Sequence, residues 1–562
     1  MVSFVKWKFN RMLAVATVVM AVNYIVMLSG SVIVGNLVGP EGLAGLNVCT
    51  PAFGVASFLA ALLSVGTALV FSRAMGAFDE RRAAGVFSQS MMLAAGMGAL
   101  IWCAMHFGEG LYLDLTGVTG AVRLQAEHYW RWQAVAMALL PSVLTLEALV
   151  YADGDGAVAL LAGGVHVTGA IGLAAFCTWR DGNADGASLG TAVTMTAVLA
   201  VCGVHFCRAN NHLKFRRYFS PRDLRETVAA SLADSTIYLC WGLLILIVNR
   251  FALDLFGQAL LPVVALAASV VEFSIVFDGV GEALIPLGGM YDGEGNRPAL
   301  RELAGHSAFV ATVEGAVCGA VFFVLAPLVA AAYGIRGEAA GLLPQAVTMI
   351  RTLALAMPFM GFLMMANTHY LVVHHVPFAV SVTVVKDFVC PCVGVLALGA
   401  AWGEPGLWAG FAAGYAVAAA YPFAFVRLRH GREFFPWLIE RDDGKSIDFA
   451  ILVSERTLAD AGARIGEFLN GHGVYEAVVG RISCLVMEAG RLTAKGLRRP
   501  VRAEYFVSLE KPGEIRLVVR DNGPCDDVNV RVKTEIGASG LRYLNTLGCN
   551  RSEYRFDIPR FK

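Results

Sequence analysis

Long apolar runs separated by short polar, often basic, stretches fill the first 430 residues. A membrane-crossing helix needs about 20 predominantly apolar residues. Twelve runs reach that length: 12–34, 44–72, 86–107, 125–150, 156–178, 187–207, 226–249, 259–288, 305–333, 342–372, 377–400 and 406–426. Several are longer than a bilayer requires, which predicts tilt, kinks or extension into water. Gly and Pro inside them are tolerated where neighbouring helices satisfy the freed backbone groups. After residue 430 the period changes. Ile447–Ser454 reads as a strand, and Leu458–Leu469 and Tyr475–Lys495 as amphipathic helices. Ala503–Glu510 and Glu514–Arg520 alternate like paired strands around the turn Lys511-Pro512-Gly513. Gly540–Leu547 is expected to form a short helix and Glu553–Ile558 a last strand.

Charge follows the same division. Of the first 430 residues only 48 are charged, against 40 of the last 132. The whole chain of 562 residues is 57% apolar and 16% charged, where a soluble protein is about 45–50% apolar and about 25% charged. An ordinary soluble enzyme and a disordered chain are both excluded. Lys+Arg and Asp+Glu each number 44, so nothing favours nucleic acid as a partner. The expected organisation is a polytopic α-helical membrane protein, twelve helices in two six-helix halves (1–215 and 216–430), then a linker (431–445) and a cytoplasmic α/β sandwich domain (446–562).

Basic residues set the orientation. Arg73, Arg81 and Arg82 follow the second run, six Lys and Arg lie between Arg208 and Arg225, Arg297 and Arg301 follow the eighth, and Arg427, Arg429 and Arg432 follow the twelfth. The alternate loops are poorer. Both termini are expected in the cytoplasm of a cell whose cytoplasmic (inner) membrane the chain crosses many times. Lys6, Lys8 and Arg11 precede a run too long for a signal core, so no cleavable signal is expected. Nine of the twelve Cys lie in apolar runs and read as small core residues. Cys390 and Cys392 flank a proline, but no second pair of matching spacing follows, and no metal is expected.

The chain also repeats itself. Val65-Gly66-Thr67-Ala68-Leu69-Val70 matches Val280-Gly281-Glu282-Ala283-Leu284-Ile285, and the same offset pairs Met75 with Met290 and Arg82 with Arg297. Six runs separate the copies, so the two halves run parallel, one route to alternating access. Ionisable residues inside membrane helices are costly unless they face a partner or a wet cavity, which makes them candidates for function. They are Glu147, Asp234, Glu272, Asp278, Glu282, Glu314, Lys386 and Asp387. Acids dominate, which suits cations. Asn23 is the strong polar group of the first run, and His369, His374 and His375 cluster near the end of the tenth.

These features resemble the multidrug and toxic compound extrusion (MATE) transporters. The run Asp278-Gly-Val-Gly-Glu282-Ala-Leu-Ile-Pro286, followed by Tyr291-Asp-Gly-Glu-Gly-Asn296, is similar to the corresponding segment of their MepA-like branch. The resemblance implies a secondary antiporter that expels organic, often cationic, small molecules in exchange for protons or sodium. If the chain is such a transporter, the intramembrane polar groups Glu282, Asp234, Glu272, Glu314, Asp278 and Asn23 are the expected coupling or substrate residues. Many members carry an Asp in the first helix where this chain has Gly30 between Ser29 and Ser31, so the family's coupling site is missing in that form.

Residues 446–562 resemble the anti-sigma-factor kinase-like branch of the GHKL ATPases. Glu488-Ala489 matches the start of their N box, Asp521-Asn522-Gly523 the adenine-binding Asp-x-Gly, and Gly537-Ala538-Ser539-Gly540-Leu541 the late glycine box. The resemblance implies ATP at Glu488, Asp521, Gly523, Gly537 and Gly540. The magnesium-holding Asn is replaced by Leu492 and the second Gly by Cys525. A degenerate domain follows, one that binds nucleotide weakly or serves as a regulatory, protein-binding module. Two other functions remain open at this point: a lipid or polysaccharide-precursor flippase, and a membrane receptor signalling through the ATPase-like domain.

Overall fold

Apolar side chains with satisfied backbone groups force the first part of the chain into helices, and the structure, a computed structural model, shows how they break. It describes residues 3–116, 118–208, 211–256, 260–332, 342–440, 444–494, 500–509, 513–523, 540–547 and 549–557. The first helices are α1 (Phe4–Leu37), α2 (Pro40–Ala61), α3 (Ser64–Gly76), α4 (Glu80–Thr116), α5 (Gly120–Ala152), α6 (Gly156–Thr168), α7 (Ala174–Asp181) and α8 (Asp185–Gly203). Then come α9 (Pro221–Phe256), α10 (Leu261–Glu272), α11 (Asp278–Glu294), α12 (Arg297–Ala332), α13 (Leu343–Ala354), α14 (Met357–Val372), α15 (Val376–Val384), α16 (Cys390–Trp402) and α17 (Glu404–Arg429).

Each predicted run has a helical counterpart, but five are interrupted. Run 44–72 divides into α2 and α3, and run 259–288 into α10 and α11 around a 3₁₀ turn, Phe273–Phe277. Run 342–372 bends by 44° between α13 and α14, where Pro358 opens the second piece. π turns interrupt the other two, at Gly169–Leu173 between α6 and α7 and at Val385–Val389 between α15 and α16. The two π turns lie 216 positions apart, close to the offset of the sequence repeat. Among the described residues, ten helices are long and apolar enough to cross a membrane, and the bent α13–α14 pair would make an eleventh.

The last part is a five-stranded sheet with two helices. The strands are β1 (Ser446–Leu452), β2 (Arg502–Ser508), β3 (Glu514–Asp521), β4 (Gly540–Thr546) and β5 (Cys549–Asp557), in spatial order β1-β2-β3-β5-β4 with every neighbour antiparallel. The helices α18 (Glu455–Gly471) and α19 (Glu476–Ala494) lie between β1 and β2 in the chain. A capping box starts α18: Ser454 Oγ accepts from the Thr457 amide at 3.2 Å while Thr457 Oγ1 accepts from the Ser454 amide at 2.9 Å. Gly540–Leu547 is a correction to the expected helix. Its residues alternate, and Leu541, Tyr543 and Asn545 stand opposite Tyr554, Ser552 and Asn550 of β5.

Alternation gives the sheet two unlike faces. Ala503, Tyr505, Val507, Ile515, Leu517, Val519, Tyr554 and Phe556 form one core with Ile465, Leu469, Ile482 and Val486 of α18 and α19. Phe506, Val518 and Leu544 point the other way and join the core of the helical bundle. With them go Glu504, Arg520, Arg551 and Glu553, all of them at most 1% exposed. The chain between α17 and β1 is tied to the same end of the bundle. Arg301 Nη2 donates to the Ile439 carbonyl at 2.7 Å, Tyr370 Oη to that of Pro436 at 3.2 Å, and His369 Nε2 lies 2.8 Å from that of Trp437.

Candidate functional site

One candidate acid bonds α1 directly. Glu314 of α12 accepts from Thr17 Oγ1 at 3.3 Å, and its second carboxylate oxygen is buried without a partner. Gly279, the second residue of α11, lies against the Thr17 backbone so closely that a Cβ there would sit 2.8 Å from Thr17 Cα. Only glycine allows that approach; Asp278 and Glu282 lie in the same first turns of α11. Tyr151 of α5 closes the group: its hydroxyl donates to the Met12 carbonyl at 2.8 Å, and Glu282 lies within electrostatic reach of its ring. Glu314 thus bonds α1 itself, and Glu282 lies near Tyr151, which bonds the same helix. The corresponding residue of the repeat, Thr67, is instead held by Ser90 at 2.9 Å.

The remaining predicted groups stand apart. Glu272 at the end of α10 accepts from the Trp241 indole at 3.1 Å. Asn23 is half-buried on α1, near Tyr24, whose hydroxyl reaches the Ser269 carbonyl at 3.1 Å. Glu147 lies on α5. The side chain of Asp234 lies outside the described residues. Lys386 and Asp387 pair at 2.6 Å on the second π turn, with Lys386 also 3.2 Å from Met364 Sδ and only 2% exposed. Inserted turns of this type often mark functional positions. Of the three clustered histidines, His369 is buried, while His374 pairs with Asp292 at 2.9 Å.

A second concentration of charge lies where the sheet meets the bundle. Arg73 of α3, 6% exposed, donates to Asp292 of α11 at 2.9 Å, to Glu226 of α9 at 2.7 Å and to the Leu371 and Val372 carbonyls of α14. Arg82 reaches Asp223 at 2.7 Å. The ends of α3 and α11 touch through glycines: a Cβ on Gly76 would fall 2.3 Å from the Met290 carbonyl oxygen, and one on Gly293 2.1 Å from that of Arg73. Above this contact sits Glu294, which is paired with both Arg520 of β3 and Arg551 of β5. Arg551 also donates to the Met75 and Gly76 carbonyls and stacks on Phe78 at 3.8 Å. Arg520 bonds Glu504 and lies 4.6 Å over the ring of Tyr291, whose hydroxyl donates to Glu504 at 3.1 Å.

Sequence reasoning counted Arg73 only as a loop charge and assigned nothing to Glu294, Tyr291, Arg520 or Arg551. The available signal was Tyr291-Asp-Gly-Glu-Gly-Asn296, a dense polar stretch directly after an apolar helix. Its residues divide between the two networks, and Asn296 caps α12 by accepting from the Ala299 amide at 3.1 Å.

In the C-terminal domain, Asp521 Oδ1 accepts from the Gly523 amide at 2.9 Å and from Asn550 Nδ2 at 2.8 Å. Burial raises its carboxyl above the usual range despite these two donors. Beside it lies a cavity of about 10 Å³, lined by Gly490, Thr493, Tyr505 and Tyr554 among others, room for about one water. Glu488 is exposed and pairs with Arg491 at 3.0 Å. Gly540 starts a strand rather than a helix, so it supplies no helix N-terminus for phosphate. Gly537 lies outside the described residues.

A family model described as MatE matches residues 16–174. Among solved structures, a MATE transporter in complex with MaL6 superposes with a TM-score of 0.70 at 22% identity, over 76% of this chain and 96% of that one. An outward-facing multidrug resistance MATE transporter of the MOP superfamily gives the same figures. A point mutant of the Vibrio cholerae MATE transporter VcmN gives 0.68 at 17% identity, over 74% of this chain and 95% of that one. No curated protein sequence matches. The chain is a polytopic helical membrane protein with the fold of MATE transporters.

Proposed function

We propose that the protein is a secondary active antiporter that exports organic cations in exchange for protons or sodium. In this reading the chain crosses the cytoplasmic membrane twelve times, in halves 1–215 and 216–430, with the sheet on the cytoplasmic side. The basic ends of the helices support that orientation: Lys6, Arg73, Arg82, Arg297 and Arg301 all lie at the end that carries the sheet.

The observation that carries the proposal is Glu314 held on Thr17 of α1, with Glu282 near Tyr151, which bonds the same helix. Carboxylates at this depth are retained where they bind cations or exchange protons. Because the helix 1 acid of many MATE transporters is absent at Gly30, Glu314 and Glu282, with Asp278, take over coupling. A cation arriving from one side and a proton or sodium from the other compete for the same negative charge, and that competition is what couples their movements. Glu272 and Asn23 are further polar groups of the helical interior. The C-terminal domain is a regulatory module that rests on the transporter, and its strand at Gly540 and its small cavity at Asp521 weigh against ATP turnover.

The test is uptake of a cationic dye into proteoliposomes under an imposed proton or sodium gradient. Glu282→Gln and Glu314→Gln should each reduce gradient-driven uptake at least tenfold. Equal uptake by all three proteins would remove these carboxylates from the mechanism.

A further inference from the structure

We propose that the C-terminal sheet is a clamp that holds the ends of α3 and α11 together and so keeps the cytoplasmic entrance shut. The inference rests on the transporter reading for the word entrance, but its geometry stands by itself.

One guanidinium does most of the joining. Arg551 binds the last carbonyls of α3 through Met75 and Gly76, and the carboxylate of Glu294 at the end of α11. Separating the two helices must strip one partner set from a side chain that is 0% exposed, where no water is at hand to replace it. Arg520 doubles the hold on Glu294, and Arg516 donates to the Glu294 carbonyl at 2.6 Å. The hairpin between β4 and β5 reaches further helices. Leu547 packs on Gly154, whose φ of +98° and absent Cβ let the two backbones meet, and its carbonyl accepts from Lys8 of α1. The Gly154 turn is itself pinned: Asp153 and Asp155 hold His205 at 2.8 and 3.0 Å, and Asp153 holds His212 at 2.7 Å.

The sheet face is also built for this use. A solvent-facing sheet face would carry exposed charge, yet here Glu504, Arg520, Arg551 and Glu553 are buried, and the first three complement Tyr291 and Glu294 of the bundle. The tether at Trp437 and Ile439 keeps the sheet over its seat. Inward opening therefore requires the sheet to lift or tilt, and any agent that loosens it speeds transport.

The experiment is hydrogen–deuterium exchange on the full chain in lipid nanodiscs, with dye uptake measured in parallel. Amides 221–231 of α9 and 369–375 of α14 pack around Arg73 and report opening at a distance from Arg551 itself. Arg551→Ala should raise their exchange at least tenfold, and Arg516→Ala several-fold, while amides of α18 and α19 stay protected. Unchanged exchange at 221–231 and 369–375 in both variants would overturn the clamp. If Arg551→Ala does not fold, Arg516→Ala decides alone in the same way. Faster exchange without any dye uptake in any protein would keep the clamp and remove the antiporter reading.

Discussion

In the helical interior Glu314 has one hydroxyl partner and Glu272 one indole, whereas under the sheet Glu294 alone receives two guanidiniums. Both regions bury charge, but they surround it in opposite ways. A carboxylate with one neutral partner keeps a lone pair for another ligand and changes state readily. A carboxylate enclosed by two cations is fixed, because losing either leaves a buried charge unpaired. The interior is suited to exchange and the sheet interface to holding position.

The comparison can be broken by substitution, and the sheet side should suffer most. Glu294→Ala leaves Arg551 buried without a carboxylate and Arg520 with Glu504 alone, and should weaken docking by about 3–5 kcal/mol, read as a fall in the denaturant midpoint for release of the domain. Next comes Arg73→Ala, which removes two ion pairs and two carbonyl contacts. A loss of about 3 kcal/mol in stability of the purified protein is expected, and Arg73→Lys should recover only part of it, since an ammonium cannot reproduce the fork.

Acidity sharpens the contrast from another side. Asp448 of β1 is pushed up to about 7 from 3.8 by burial first and then by Glu302 of α12, against the opposing effects of Asn296 and Arg464 of α18; Glu504 of β2 faces the same region. The raised carboxyl binds its proton better when docked than when free. Docking is therefore fully supported below about pH 4 and weakens as pH rises through about 7. Release should come more easily at pH 8 than at pH 5, and Asp448→Asn should flatten that dependence.

Interior amides should be milder still for the fold. Glu314→Gln can still accept from Thr17 and should alter stability by less than about 1 kcal/mol, while transport falls at least tenfold. A stability loss as large as that of Glu294→Ala would erase the distinction between the two regions. The smallest effect is expected for Glu488→Gln, an exposed partner of Arg491, where neither stability nor transport should change measurably.

Much of this was legible in the sequence. Burial in lipid demands uninterrupted apolar length, so each helical region announced itself, and strand alternation placed β1, β2, β3 and β5. Breaks within the helices were less visible, since the π turns at Gly169 and Val385 need no signature residue. Gly540–Leu547 misled because glycines beside Leu541 suit a helix start, while its pairing with β5 is a long-range contact. The role of Arg551 was hidden for a plainer reason: an alternating Arg and Glu on a strand reads as a wet face, and nothing local reveals that another part of the chain covers it. The interior carboxylates are legible as candidates, but the bond of Glu314 to Thr17 and the close approach of α11 to α1 at Gly279 are long-range contacts that no local pattern reveals.

The central claim, that cargo and ion compete for the carboxylates around α1, is tested most directly by ion flux without an imposed gradient. Vesicles holding a pH- or sodium-sensitive dye are loaded on one side with organic cation alone. The account predicts protons or sodium moving against the cargo in the wild-type protein and little movement in Glu282→Gln. Cargo crossing at the wild-type rate with no ion flow in either direction would contradict it.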